Sequence, residues 1–130
     1  MEFTEPQVIL FVTDCEKSAA FYSRFGFVEH FRLPQTDPIK IEMTLAGFGL
    51  GLAAPGPAAD SHGLRPVTSG HRAALTFWTD DVESAYQHAL EAGATNHEGP
   101  HPFLDGKLLV AFVEDPDGHP VQLTQRLQRA

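Results

Sequence analysis

The sequence contains a single cysteine and few basic residues. Because Cys15 has no second cysteine among the 130 residues to pair with, an internal disulfide and a zinc site built on several thiolates are both excluded. Nine lysines and arginines stand against 17 aspartates and glutamates, which gives a formal net charge of −8. Nucleic acids and anionic membrane surfaces are bound by clustered positive charge, so neither is expected as a partner.

Long apolar runs are absent as well. The run Leu108–Val113 is far shorter than the roughly 20 residues that a membrane-spanning helix needs. The first residues, Met1–Pro6, are acidic where a signal peptide would be basic. Together with the reducing compartment that a lone cysteine suits, these features predict a cytoplasmic protein. The length, 130 residues, is that of one compact domain spanning 1–130.

What the sequence does contain is a recognisable hairpin near its C-terminal end. The apolar run Leu108–Val113 predicts a strand, and Asp115–Gly118 (Asp-Pro-Asp-Gly) predicts a turn. Proline presets its own φ, aspartate can bond nearby backbone N–H groups, and glycine accepts a positive φ. The alternation that follows predicts a second, antiparallel strand, with Gln122 and Thr124 on one face and Val121 and Leu123 on the other.

A strand–acid–helix–glycine unit occurs twice. In the first copy the branched and aromatic strand Val8–Val12 ends at Asp14, a suitable helix N-cap, and the helical stripe that follows stops at Gly26. In the second copy, 67 residues later, Asp81 takes the place of Asp14 and Gly93 that of Gly26. The order of the later elements matches too, so we interpret the chain as two copies of one unit.

Three further strands are predicted after each helix. In the first unit the strand 39–45 has apolar odd positions and polar even positions, which predicts one buried face. In the second unit a short strand at 94–98 is followed by a loop at 99–106 and then by the hairpin. The second unit carries about four extra residues, which we assign to that loop.

These elements predict an α+β fold of two βαβββ modules. Module 1 covers 1–54, module 2 covers 72–130, and a connector rich in Pro, Gly, Ala and Ser covers 55–71. Two such modules can place curved mixed sheets around a cleft, with the helices outside.

The chain resembles the vicinal oxygen chelate superfamily, which includes glyoxalase I, ring-cleaving dioxygenases, methylmalonyl-CoA epimerase and the bleomycin-resistance proteins. The resemblance covers nearly the whole chain. It is carried by four motifs, Val8–Asp14, Phe21–Phe27, Thr79–Val82 and Asp115–Leu123. It implies the fold just described, and in the metal-dependent members the metal ligands, usually His or Glu, come from the first and last strands of each module.

The positions that match those ligands are Gln7, Gly51, Ala74 and Gln122. Glycine and alanine have no side-chain donor, and glutamine is a poor ligand for a divalent cation. A shifted register could instead recruit His71 and His119. Both lie three residues from the expected positions, however, and an odd offset turns a strand side chain to the other face. We therefore predict no metal and no cofactor.

Period-two alternation then predicts what lines the cleft. Residues on the same face as Gln7 and Ala74 belong to it, whereas Phe31 and Met43 fit either the cavity or the core, as Trp78 does. His101 and Phe103 lie in the extra-long loop, where binding members of the superfamily often place a ligand-stacking ring. The predicted ligand-binding set is Gln7, Ile9, Phe11, Phe31, Met43, Gly51, Ala74, Thr76, Trp78, His101, Phe103 and Gln122.

Large rings and two amides, without a catalytic pair, predict binding rather than catalysis. The chain resembles the metal-free, antibiotic-binding branch of the superfamily, which implies a homodimer that sequesters a largely apolar or aromatic natural product as a resistance protein. An enzyme remains the alternative. It would be a lyase, epimerase or dioxygenase with atypical metal ligands, or a metal-free cyclase or isomerase with Glu42, Glu114 or a histidine as general base. A structural or regulatory partner protein is a third, weaker reading.

Overall fold

The computed structural model describes residues 1–127 and divides them into two compact units. One unit ends at Thr68 and the other begins at Ser69. Each contains a four-stranded mixed sheet with a helix packed against one face. The predicted α+β class and the two βαβββ modules are confirmed. No helix within the described range is long and apolar enough to span a membrane.

The first unit contains four strands and two helices. They are β1 (Gln7–Phe11), α1 (Cys15–Ser23), β2 (Val28–Leu33), β3 (Lys40–Leu45), β4 (Phe48–Ala53) and α2 (Pro55–His62). The sheet order is β1-β4-β3-β2. The pair β1–β4 is parallel and the other pairs are antiparallel.

The second unit repeats this arrangement, and its described part, 69–127, has no counterpart of α2. Its elements are β5 (Leu75–Trp78), α3 (Val82–Glu91), β6 (Thr95–Phe103), β7 (Leu108–Glu114) and β8 (Pro120–Arg126). The sheet order is β5-β8-β7-β6, and again the first and last strands of the module pair in parallel.

Both predicted helix starts are confirmed by their capping bonds. Asp14 Oδ1 accepts the backbone N–H of Lys17 at 3.1 Å, and Asp81 Oδ1 accepts that of Ser84 at 3.1 Å. The pKa of Asp81 is lowered because hydrogen bonds from the Ser84 backbone and hydroxyl stabilise its carboxylate. The two carboxylates satisfy N–H groups that would otherwise have no partner in the first turn.

The core of each unit lies between its helix and its sheet. In the first unit α1 packs on β2, β3 and β4. Phe21 and Tyr22 are almost fully buried and meet edge to face, with ring centroids 4.9 Å apart at 89°. In the second unit α3 packs on β6, β7 and β8 and buries Val82 and Ala89. Each helix therefore covers one face of its sheet and leaves the other face uncovered by helix.

Two predicted boundaries differ from the structure. The predicted connector 55–71 contains the helix α2, which begins with Pro55 in its first turn and ends at Gly63 with φ +68°. The predicted loop 99–106 is wrong in its first half, because β6 continues to Phe103. This strand lies at the edge of its sheet, where Pro100 and Pro102 are tolerated, and register shifts at 96–98 and 98–101 absorb extra residues.

Candidate functional site

We call the face of each sheet that lies opposite its helix the open face. In the first sheet the pairing register follows this face from strand to strand: Ile9 lies beside Gly51, Gly51 beside Glu42, and Glu42 beside Phe31. Cross-strand neighbours of this kind share one face of a sheet. Ile41, which precedes Glu42 and points the other way, is fully buried.

The structure brings most of the predicted ligand-binding residues of module 1 onto this open face. Met43 is the exception, because it lies beside Leu50 on the helix side and is only 2% exposed. Where the sequence left Met43 between cavity and core, the structure assigns it to the core. Ile9 and Phe31 are exposed apolar side chains, 42% and 44% accessible. The members that share the open face are Gln7, Ile9, Phe11, Phe31 and Gly51.

A small pocket opens at the Gln7 end of the first open face. Its volume is about 110 Å³, and its polar lining residues are Glu5, Gln7, His30, Glu42 and Thr44. Glu42 also forms an ion pair with Lys40, whose Nζ lies 3.4 Å from Oε2. A volume of this size holds a few water molecules or one small polar group, not a polycyclic ring.

The second open face is followed in the same way. Trp78 lies beside Thr124, Thr124 beside Val110, and Val110 beside His101. His101 therefore lies on the open face, but it belongs to strand β6 and not to the predicted loop. The residues of the predicted set that lie on this face are Thr76, Trp78, His101, Phe103 and Gln122. Ala74, the remaining member in this unit, directly precedes β5.

Trp78 is a prominent side chain of the second open face. Its side chain is 53% exposed although it sits on a sheet strand. The guanidinium carbon of Arg126 lies 3.9 Å from the centre of its ring, which is a favourable cation–π geometry. Next to it, the hydroxyl of Thr124 is buried and has no hydrogen-bond partner within the described residues. One end of this face thus combines an accessible ring, a cation and an unsatisfied hydroxyl.

The other end of the second open face carries two histidines around one carboxylate. His71 Nε2 lies 2.7 Å from Glu114 Oε2, and His97 Nδ1 lies 3.8 Å from the same oxygen. The two imidazole rings meet edge to face, with centroids 5.4 Å apart. Glu114 shares the open face because it pairs with Pro120 two positions before Gln122 in β8. From the sequence alone, His71 and Glu114 are separate candidates and are not paired.

The metal site that the superfamily resemblance implies does not fit these residues. A Cβ atom added at Gly51 would lie 2.9 Å from Gln7 Oε1, so the Gln7 amide occupies the space beside Gly51. Gln122 Oε1 accepts a hydrogen bond from Thr76 Oγ1 at 3.2 Å. Within residues 1–127, no three His, Cys, Asp or Glu side chains are grouped so that they could hold a metal ion. The matching positions therefore line the open faces with neutral groups.

Two functional candidates were missed by the sequence reasoning. Arg126 could have been found by carrying the alternation of Gln122 and Thr124 one step further along β8. The His71–His97–Glu114 cluster could not, because His97 lies within the first register shift of β6, between Asn96 and Glu98. Such a position follows no alternation rule.

Comparisons with known proteins agree with this fold. Residues 6–123 match the model of the glyoxalase/bleomycin resistance protein/dioxygenase superfamily. A probable lactoylglutathione lyase of Vibrio cholerae is 27% identical over 124 residues, which cover 92% of this chain and 88% of the relative.

Solved structures show the same similarity. A glyoxalase/bleomycin resistance protein/dioxygenase family enzyme from Burkholderia phytofirmans is 26% identical, with a TM-score of 0.82 over 93% of this chain and 97% of that one. A lactoylglutathione lyase from Agrobacterium tumefaciens, 20% identical, has a TM-score of 0.69 over 92% and 90% of the two chains and shows the fold alone. The protein belongs to the glyoxalase/bleomycin resistance protein/dioxygenase superfamily.

Proposed function

We propose that the protein binds a small, largely aromatic molecule and sequesters it unchanged, as a cytoplasmic homodimer in the manner of the antibiotic-resistance members of its superfamily. The observation that carries the proposal is Trp78, a half-exposed indole on a sheet face. Burying an exposed indole against another flat ring is favourable both through apolar area and through stacking. The ligand classes to be tried first are polycyclic and glycopeptide natural products.

The chemistry around the ring supports binding more than turnover. The Thr76 hydroxyl donates to Gln122 Oε1. The amide NH2 group of Gln122 and the oxygen of Thr76 can then orient a ligand through a few hydrogen bonds. The positions that would hold a catalytic metal carry Gln7, Gly51, Ala74 and Gln122. Neutral amides bind and orient, but they do not transfer protons near neutral pH.

Fluorescence titration tests this proposal, because Trp78 is the only tryptophan. The expected result is saturable quenching by at least one member of a panel of polycyclic and glycopeptide antibiotics. Calorimetry of the same ligand with Trp78→Ala should show an affinity at least about tenfold lower. Leu64→Ala, which removes an exposed apolar side chain from the connector, is the matched control and should bind normally. A broad panel without saturable binding would overturn the proposal.

The homodimer is tested separately. Sedimentation equilibrium should give a mass of twice the 14.2 kDa of one chain at micromolar concentration. A species that stays at one chain throughout the concentration range would contradict the homodimer and leave ligand binding untouched.

A second candidate function is a metal-free isomerase or lyase, favoured by the His71–Glu114 hydrogen bond. A carboxylate on Nε2 fixes the imidazole tautomer and leaves Nδ1 as the acceptor for a proton, as in other carboxylate–histidine pairs. The relative from Vibrio cholerae suggests the reaction to try first, lactoylglutathione lyase activity. Activity without added metal that Glu114→Gln lowers at least about a hundredfold would support this function. No activity in the unaltered protein would exclude it for this substrate.

A further inference from the structure

Among residues 1–127, the guanidinium of Arg126 has no carboxylate partner. It lies 3.9 Å over the Trp78 ring, and within the described part of the chain it makes no ion pair or hydrogen bond. In a protein of net charge −8, acidic side chains are plentiful, and Arg32, for comparison, contacts both Glu16 and Glu29. No residue that the structure describes therefore accepts a hydrogen bond from the Arg126 guanidinium.

Arg126 has apolar neighbours along the second open face. Its cross-strand neighbour is Leu108, and the neighbour of Leu108 is Phe103, which is 52% exposed. Trp78 stands on the other side. Arg126 is itself exposed, so an anion can reach its guanidinium from solvent while a flat group contacts the ring beneath it.

A second observation points to a ligand at the same place. Thr124 is the cross-strand neighbour of Trp78 and is 1% exposed, yet its hydroxyl has no hydrogen-bond partner among the residues described. A buried hydroxyl without a partner is costly, and in native proteins such a group needs an explanation, such as a bound water, ion or ligand that is not among the described residues.

From this geometry we propose that the second open face recognises a flat aromatic molecule that carries one anionic group, such as a carboxylate or a sulfonate. Arg126 binds the anion, while Trp78 and Phe103 contact the ring system and Thr124 offers its hydroxyl beside them. Guanidinium suits planar oxyanions because it donates two parallel hydrogen bonds. This inference rests on the proposed binding function and narrows its ligand class.

A pair of fluorescent probes that differ only in the charge tests it. One probe is 8-anilinonaphthalene-1-sulfonate, and the other is N-phenyl-1-naphthylamine, which has the same rings without the sulfonate. The unaltered protein should bind the sulfonate about tenfold or more tightly than the neutral amine, because a hydrogen-bonded charge adds to ring burial. Energy transfer from Trp78 to either probe should show that both bind beside the indole.

Variants of Arg126 then test whether this residue causes the preference for the sulfonate probe over the neutral amine. Arg126→Gln should remove the preference for the sulfonate and leave the affinity for the neutral amine within about twofold. Arg126→Lys keeps the charge without the planar fork, so it should lose part of the preference. Arg65→Gln removes the same charge from an exposed position in the connector and should change neither affinity. Circular dichroism and the unfolding midpoint confirm that each variant is folded.

The outcomes separate the two proposals. If neither probe binds saturably, the aromatic binding function itself fails. If the neutral amine binds and the sulfonate binds no better, or if Arg126→Gln keeps the sulfonate preference, the anion site is overturned while the binding function stands. The unaltered protein gives an independent check, since added salt should weaken sulfonate binding and spare the neutral amine.

Discussion

His119 and Asp115 are joined across the turn between β7 and β8, with Nδ1 of the imidazole 2.8 Å from Oδ2 of the carboxylate. The other carboxylate oxygen, Oδ1, accepts the backbone N–H groups of Asp117 and His119 at 2.9 Å each. The Asp115 side chain is fully buried, and Gly118 follows with φ +88°. One carboxylate thus organises the whole Asp-Pro-Asp-Gly turn.

The stability of the protein should therefore depend on the protonation of His119. The hydrogen bond that His119 donates to the Asp115 carboxylate raises the pKa of His119 in the folded state. Between the unfolded pKa near 6.5 and this raised pKa, the folded protein therefore binds more protons than the unfolded chain. The stability that the protonated His119 contributes is fully present below the unfolded pKa and is lost as the pH rises through the folded pKa.

Urea unfolding of the native protein and of His119→Gln from pH 5.5 to 9 measures this effect. The difference in the free energy of unfolding between the native protein and His119→Gln should become smaller as the pH rises across that range. If this difference stays the same at every pH, the Asp115–His119 pair makes no contribution to stability that depends on proton binding.

The two glycines of β4 should respond differently to alanine. A Cβ at Gly49 would lie 2.9 Å from the backbone oxygen of Pro6 and 2.8 Å from Gln7 Cβ, whereas the closest atom at Gly51 is the movable Gln7 Oε1. We expect Gly49→Ala to lower the free energy of unfolding by about 1–3 kcal/mol and Gly51→Ala by less than about 1 kcal/mol. Chemical denaturation of the two variants provides the comparison, and the reverse order would contradict the close approach of β1 to Gly49.

Thr124→Val should stabilise the protein by about 1 kcal/mol. The substitution replaces a buried hydroxyl that lacks a partner among residues 1–127 by a methyl group of similar shape. Thr76→Val removes a hydroxyl that does have a partner, Gln122, and is the matched control that should be neutral or destabilising. A loss of stability in Thr124→Val, measured by thermal unfolding, would mean that the hydroxyl is satisfied in solution.

Protein prepared without chelators or a metal-binding tag should contain well below one equivalent of Zn, Ni, Mn or Fe per chain. The donor chemistry of Gln7, Gly51, Ala74 and Gln122 is the reason. Elemental analysis gives the content, and unfolding with and without EDTA should give the same midpoint. About one equivalent of tightly held metal would overturn the mapping of these four positions and favour the enzyme alternative.

Local chemistry is what made much of the fold predictable. The caps at Asp14 and Asp81 and the turn at Asp115–Gly118 depend on residues within a few positions of each other, so the sequence contains everything that determines them. Alternation in strands is equally local. It assigned Trp78 and Gln122 to one sheet face, and that placement agrees with the pairing register.

The remaining features depend on contacts that no local pattern encodes. The His71–Glu114 bond joins residues 43 positions apart. The end of β6 was missed because Pro100 and Pro102 are typical of loops unless the strand lies at a sheet edge, and the edge position is a property of the assembled sheet. Helix α2 was missed because proline and glycine in Pro55–Pro57 have low helix propensity.

The irregular strand β6 has one more consequence. The edge of a sheet offers unpaired N–H and C=O groups to which a strand of another molecule can add, and this is a common route to aggregation. Pro100 and Pro102 remove two donors from β6, and its two register shifts bend the remaining ones out of line. Pro100 and Pro102, which make this strand resemble a loop in the sequence, therefore also protect the folded protein from forming fibrils along that edge.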